Sequence, residues 1–454
     1  MDWKKTSVIL CLFGFLKEFR PSEPFVTSYF TGSWKNFTTE QVNQDIYPYG
    51  TYSNLAFLIF IFLMTDFLRY KLVIILCGLS GMATFLTLLL GKSLLEMQIV
   101  EILYGLFIST EVAYYTYMYA AVDKTHYQKV TGFTRAAFLF GRFLSGLVAQ
   151  LTVSYGLLDY EQLLYLTITA LGLSTAWAFL LPGVKGSIYF HRVNNNEDLT
   201  LSNANMKLEQ ESESQTITRK SKNILLKLKE AYAYLWKDFL KAFTNSHVVK
   251  WSLWWAFATC GYVQVLNYVQ LVWETAYGKD QKKIFNGAVE ALYTIIGAVA
   301  VFGVGTLRIN WHLFGEIILS IFSIIEGILL FVSFKSYDIW LLYGVYIAFG
   351  VIYHTVITVA SFEVAKHLSE DSYSLVFGIN TFLALVLQSL LTFIVAGGNV
   401  LILNIRQQFL VYSGYFVALG LIFMIMAFFT INNYRRQGRN LQFWQSVDET
   451  ISTS

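Results

Sequence analysis

Charge is what the chain has least of. Asp, Glu, Lys and Arg make up only 14% of its 454 residues, against about 25% in ordinary soluble domains, so a water-soluble globular fold is excluded for most of it. Cysteine is also scarce. Cys11, Cys77 and Cys260 all lie in apolar runs, and without CxxC or Cys/His spacing they form neither a disulfide framework nor a zinc cluster. Enzyme motifs are missing. There is no HExxH and no GxSxG, and Gly91-Lys92-Ser93 has Leu86 where a phosphate loop needs glycine. No nucleophile–base or metal-ligand set can be assembled, so neither an enzyme, a cofactor nor a metal is expected. The net charge of +3 is too small to point to nucleic acid. The first apolar run lacks a small-residue cleavage site, so no cleavable signal peptide is expected.

What is present is apolar and aromatic: 55% hydrophobic residues, 17% Phe, Trp and Tyr. Twelve segments approach the roughly 20 residues that cross a bilayer as a helix. Six precede residues 182–247 and six follow. That stretch, with NNNED and EQESESQTITRKSK, has the composition of a disordered linker, and Asn223–Ala242 within it reads as a basic amphipathic helix for the membrane surface. The expected architecture is an all-α membrane protein of twelve transmembrane helices. It divides into an N-terminal six-helix half (1–181), a cytosolic linker (182–247), a C-terminal six-helix half (248–432) and a cytosolic tail (433–454). The Lys/Arg bias puts both termini in the cytosol. The one sequon, Asn36-Phe37-Thr38, then falls in the first external loop, where Asn36 can be glycosylated. This is the layout of the major facilitator superfamily, whose substrate site lies between the halves near the midplane.

Charges inside apolar segments mark candidate functional residues, because burying them is costly. Glu111 lies inside Gln98–Val122, with Tyr114 and Tyr115 one turn on. Acid and ring faces together suit an organic cation, although a structural Glu on a helix seam fits as well. The first segment is broken by Arg20-Pro21-Ser22-Glu23-Pro24, which is tolerable where it lines a cavity; Arg20 and Glu23 could also pair and hold the bend. In the seventh segment Gln264, Asn267, Tyr268 and Leu271 share one helical face. Asn286 and Glu290 lie in the eighth, Tyr353-His354 in the tenth, Asn380 and Gln388 in the eleventh. Arg135 and Arg142 occupy the fifth, where Arg142 either neutralises Glu111 or meets an anionic group. Glu101, Glu316, Glu326 and Glu363 are left as structural or proton-linked. Asp66, Arg69 and Lys71, between the second and third helices, form either a charged gate latch or a plain topology signal.

Several of these stretches together resemble the reduced folate and thiamine carrier family: RPSEP (Arg20–Pro24), TDFLRYK (Thr65–Lys71), EVAYY (Glu111–Tyr115), HYQKVTGFTRA (His126–Ala136), WSLWWAFATCGYVQVLNYVQ (Trp251–Gln270), NGAVEA (Asn286–Ala291) and LVFGINTF (Leu375–Phe382). The resemblance covers nearly all the membrane portion. It implies a plasma-membrane carrier of water-soluble vitamins, with Glu111 and Tyr114 contacting thiamine and Asn267 and Glu290 contributing from the other half. Folate carriers place Arg at the Glu111 position and Lys at Gln388; this chain is similar to thiamine carriers at both. It departs from them at Gly50, where they have Trp, and at Arg142, where they have Tyr. Those changes move the cavity toward an anion or zwitterion, unless Tyr47 or Tyr49 replaces the lost ring. The expectation is a secondary carrier importing thiamine, a monomer in the lipid bilayer, coupled to protons moving in the opposite sense. The alternatives are a folate-like carrier using Arg142 and Arg20, and a vitamin receptor or sensor that does not transport.

Overall fold

The first apolar run folds as two helices. In this computed structural model α1 spans Trp3–Glu18 and α2 Val26–Thr31, joined through a 3₁₀ turn at Glu23–Phe25. Pro21 lacks the N–H that would extend α1, whereas Pro24 sits in the first turn of the 3₁₀ segment, where a missing N–H costs little. The structure describes residues 3–68, 70–122, 126–183, 240, 243–277, 284–304, 310–367, 373–396, 400–401 and 403–436.

A π turn at Gln41–Ile46 leads into α3 (Tyr47–Phe67), α4 (Lys71–Leu90), α5 (Leu94–Ser109), α6 (Glu111–Ala121), α7 (Tyr127–Ser154) and α8 (Tyr160–Ala178). The second series is α9 (Ser246–Glu274), α10 (Asn286–Val304), α11 (Trp311–Lys335), α12 (Ile339–Lys366), α13 (Tyr373–Val395) and α14 (Ile405–Arg436). The stretch expected as one helix around Glu111 is interrupted at Thr110. The Thr110 hydroxyl donates back to the carbonyls of Leu106 at 3.1 Å and Phe107 at 2.7 Å, a pattern that bends helices. With α1–α2 and α5–α6 each taken as one crossing, the described helices make twelve crossings in two sets of six, and no strand occurs among the described residues. Among the described residues seven helices are individually long and apolar enough to cross a membrane. An even number of crossings puts the start of α1 and the end of α14 on one face of the bundle, called the terminal face below.

Helix starts follow local chemistry. Ser93 and Glu96 form a reciprocal cap on α5, Asp159 and Gln162 one on α8, and Asp338 caps α12, satisfying N–H groups that have no partner in the first turn. In the C-terminal half α11 lies along α14, where Ser320 donates to Gly420 O and Ser413 to Gly327 O, both at 2.7 Å. Small residues permit that close approach, which replaces the hydrophobic drive that lipid does not supply.

The two halves touch through α3 with α13 and α7 with α10. Their hydrogen bonds among the described residues all lie toward the face opposite the termini. Gln270 Nε2 donates to Glu23 O at 3.0 Å, Asn286 Nδ2 to Pro24 O at 2.9 Å, Ser28 to Glu274 at 2.5 Å, and Gln150 Nε2 to Ile284 O at 2.9 Å. There α7 and α10 meet backbone to backbone: a Cβ added at Gly146 would stand 2.7 Å from Gly287 O, and one at Gly287 equally close to Gly146 O.

Of the expected linker only residues 182–183, 240 and 243–247 are described, so the basic amphipathic segment lies almost wholly outside the described residues, as do Arg69 and the tail beyond Arg436. Asp66 is in the last turn of α3. Lys71 donates to Phe179 O at 2.9 Å, tying the start of α4 to the end of α8 within one half. Asn36 is exposed in the loop between α2 and α3, with φ 57°. Lys35 beside it donates to the carbonyls of Leu89 and Gly91 at the end of α4.

Candidate functional site

An ammonium group sealed inside an apolar bundle needs acids around it, and Lys17 has them. Its side chain is fully buried at the end of α1 and pairs with Glu18 at 2.9 Å and with Glu111. Arg20 carries the network on, to Glu18 at 3.2 Å and Glu23 at 2.5 Å, and the Tyr104 hydroxyl donates to Glu23 at 3.3 Å. Aromatic faces cover the cations: Lys17 Nζ lies 5.4 Å from the ring centres of both Phe107 and Phe138, and the Arg20 guanidinium 5.2 Å from that of Phe107, distances at which ring quadrupoles attract positive charge. Three carboxylates against two cations leave this network with one negative charge when all are ionised. The break in the first crossing makes this possible, because it lets Glu18, Arg20 and Glu23 turn to the same side.

That side is a cavity of about 350 Å³ between the halves. Of the residues expected to bind, Glu111, Tyr47, Asn267, Glu290, Gln388 and Arg142 line it, together with Arg20 and Glu23. Glu111 keeps 18% of its side chain accessible and reaches the cavity from one side while Lys17 holds it from the other. Glu290 accepts from the Tyr346 hydroxyl at 2.7 Å. Tyr47 donates to or accepts from Thr27 at 2.6 Å and packs edge-on against Tyr268, whereas Tyr49 is exposed and outside the lining. Asn267 is half-buried, with no hydrogen-bond partner among the described residues.

Two expected residues are placed elsewhere. Tyr114 is buried against α1, its hydroxyl donating to Leu10 O at 3.1 Å in the space left by Gly14. Gln264 is sealed within the C-terminal half, donating to Tyr412 at 3.0 Å and accepting from Thr392 at 3.1 Å. The cavity face of α9 is Val263, Leu266, Asn267 and Gln270. A step of one residue turns a helix by about 100°, so only Asn267 of the expected stripe reaches the cavity. Arg142 does not neutralise Glu111, because Lys17 does. It sits half-buried in the wall that Glu290 also lines, with no direct ion pair among the described residues.

Sequence reasoning missed Lys17 and Glu18, just before the break at Arg20, and set Glu101 aside. Glu101 lines the cavity with no hydrogen bond to its carboxylate among the described residues, and its Oε2 occupies the space that a side chain at position 50 would fill. The signal was Gly50 itself, one turn into α3 and facing α5. With Lys17 behind Glu111, the cavity has five carboxylates (Glu18, Glu23, Glu101, Glu111, Glu290) against three cations (Lys17, Arg20, Arg142), an excess of two negative charges if all are ionised. The acids left as structural or proton-linked divide. Glu316 pairs with Lys250 at 2.7 Å; Glu326 is wholly buried, neither oxygen finding a partner among the described residues.

Comparison with known proteins places this geometry in a family. Residues 1–411 match the model described as reduced folate carrier. The chain is 39% identical to thiamine transporter 2 of Macaca fascicularis, over 96% of this chain and 92% of that protein. It is 36% identical to folate transporter 1 of Caenorhabditis elegans, over 100% and 97%. Among solved structures, a POT family transporter in complex with a thioalcohol-conjugated peptide aligns with TM-score 0.62 at 11% identity, covering 94% of this chain and 96% of that one, a likeness of fold. The chain belongs to the reduced folate carrier family, and is a multi-pass membrane transporter rather than an enzyme.

Proposed function

We propose that this transporter imports thiamine, an organic cation, by alternating access between its two halves. The observation that carries the reading is the excess of carboxylates over cations around the cavity, with Glu111 open to it. A positive ring is favoured there by charge and by nearby aromatic faces. In this reading Glu111 anchors the cation or its aminopyrimidine, Tyr47 supplies a ring, Asn267 and Gln388 hydrogen-bond, and Glu290 or Glu101 takes the proton that travels the other way. The hydrogen bonds from Gln270 and Asn286 to the broken first crossing hold the face opposite the termini closed. We assign the terminal face to the cytosol, the protein to the plasma membrane, and a glycan to Asn36. The test is uptake of labelled thiamine and labelled folate at two pH values, with each unlabelled vitamin as competitor. Thiamine uptake blocked by excess thiamine and not by folate is expected. Glu111→Ala abolishes it at unchanged surface abundance; normal uptake by that variant removes the assignment.

A folate-like substrate is the second reading, favoured by one observation. Arg142 faces the cavity without a direct ion pair among the described residues, and a substrate carboxylate would suit it. Folate uptake lost in Arg142→Ala while thiamine is not carried would select this reading.

A further inference from the structure

At the terminal face, away from the cavity, the start of α9 meets the end of α12. His247 Nε2 lies 3.3 Å from Glu363 Oε2, and His367 brings a third donor, so that one ligand atom from each of the three side chains lies within 4.8 Å of the others. Two ligands held about 2.0–2.1 Å from one tetrahedral ion stand roughly 3.3–3.4 Å apart, the separation already present in the first pair. Glu363 is 2% exposed, and its Oε1 is buried with no hydrogen-bond partner among the described residues. A buried carboxylate left half-satisfied is costly, and a cation shared with two imidazoles would offset that. His367 also touches the main chain of Glu363. Its Nδ1 lies 2.9 Å from Glu363 O, and an Nδ1–H given to a backbone carbonyl leaves Nε2 its lone pair, the arrangement seen behind metal-bound histidines. His367 is also exposed at the mouth of the cluster, so that it can swing the last distance and an ion can enter.

We infer that His247, Glu363 and His367 form a binding site for a first-row divalent cation of the zinc class, clasping the start of α9 to the end of α12. Two imidazoles and one carboxylate, with a fourth position left to water, suit Zn²⁺ and Co²⁺ and are a poor set for Mg²⁺ or Ca²⁺, which prefer oxygen. His247 lies 116 residues before Glu363, whereas His367 is only four residues beyond it, so the sequence by itself shows one Glu–His pair and no complete metal motif. The site stands apart from the substrate cavity and does not depend on which vitamin is carried.

The test uses full-length protein purified in detergent with a tag free of histidine. It is incubated with Co²⁺ or Zn²⁺ and desalted, and metal is measured by elemental analysis and by the visible spectrum of Co²⁺. The wild type should retain roughly one equivalent with a tetrahedral Co²⁺ spectrum. His367→Ala, His247→Ala and Glu363→Gln should each bind at least about ten-fold more weakly. His367→Ala is the deciding variant should the buried substitutions prevent folding, because its side chain is exposed. A wild type that emerges free of metal, or a His367→Ala protein that binds as tightly as wild type, overturns the proposal and leaves the trio as an ion pair with a neighbouring ring.

Discussion

Lys17→Met removes the only cation that holds Glu111 among the described residues, leaving a buried carboxylate with no counter-charge. Glu18 is less affected because Arg20 remains 3.2 Å away. Stripping one partner from a buried ion pair costs about 3–5 kcal/mol, and the 18% of the Glu111 side chain open to the cavity puts the expected loss near the lower end. Glu111→Gln is milder, because Lys17 keeps Glu18 at 2.9 Å, and losing one charged hydrogen bond is worth about 1.5–3 kcal/mol. In the double variant the orphan carboxylate no longer exists. It should therefore be more stable than Lys17→Met alone, with a coupling of about 2–3 kcal/mol, at the upper end for groups in direct contact. Thermal unfolding of the purified variants gives the ordering, and uptake with surface abundance adds a second reading: Lys17→Met should lose abundance, Glu111→Gln should keep abundance and lose uptake. Additive single and double variants, or a Lys17→Met protein as stable as wild type, would refute the reasoning that this ammonium exists to carry Glu111.

The other predictions concern single contacts. Gly50→Ala sets a methyl against the flexible end of the Glu101 side chain; the carboxylate can turn aside, so the cost should be at the low end of overpacking, about 1 kcal/mol, and adding Glu101→Ala should return most of it in a thermal melt. Glu326→Met replaces a buried acid that bonds nothing among the described residues and should raise stability by about 1–3 kcal/mol; a fall instead would mean the carboxyl is engaged by something else, such as a travelling proton. Glu96 is held at about 2, below its ordinary 4.5, chiefly because it accepts the backbone N–H groups of Ser93 and Lys92. Since its folded value is depressed, the stabilisation is present above about 4.5 and lost as pH falls toward about 2. The difference in melting temperature between wild type and Glu96→Gln should therefore be constant above pH 5 and close below it.

Local chemistry carried the architecture into the sequence, and long-range pairing kept part of the site out of it. The broken first crossing was legible because Pro21 and Pro24 cannot serve a continuous helix, and Arg20 and Glu23 could only be tolerated beside a cavity. The crossings were legible because each is an apolar run bounded by charges or turn residues. The face of α9 was not. Periodicity says that Gln264 and Asn267 share a side but not which neighbour that side meets, and Tyr412 and Thr392 take Gln264 for the core. Lys17 was hidden for the same reason: Glu111 lies 94 residues away, and nothing near position 17 announces it. Glu101 stood out only once Gly50 was seen across from it.

The glycine contact between α7 and α10 has a mechanical consequence. Where two halves interlock through long side chains, tilting one against the other means withdrawing each knob from its socket. At Gly146 and Gly287 main chain bears on main chain, with Gln150 one turn on reaching across to Ile284 O and Ala288 N, so the halves have a close pivot pinned by a single amide side chain. Under the proposed alternating access the seam is therefore suited to be the fulcrum, and a bulky residue at either position would act as a wedge, propping the carrier ajar on the side opposite its termini.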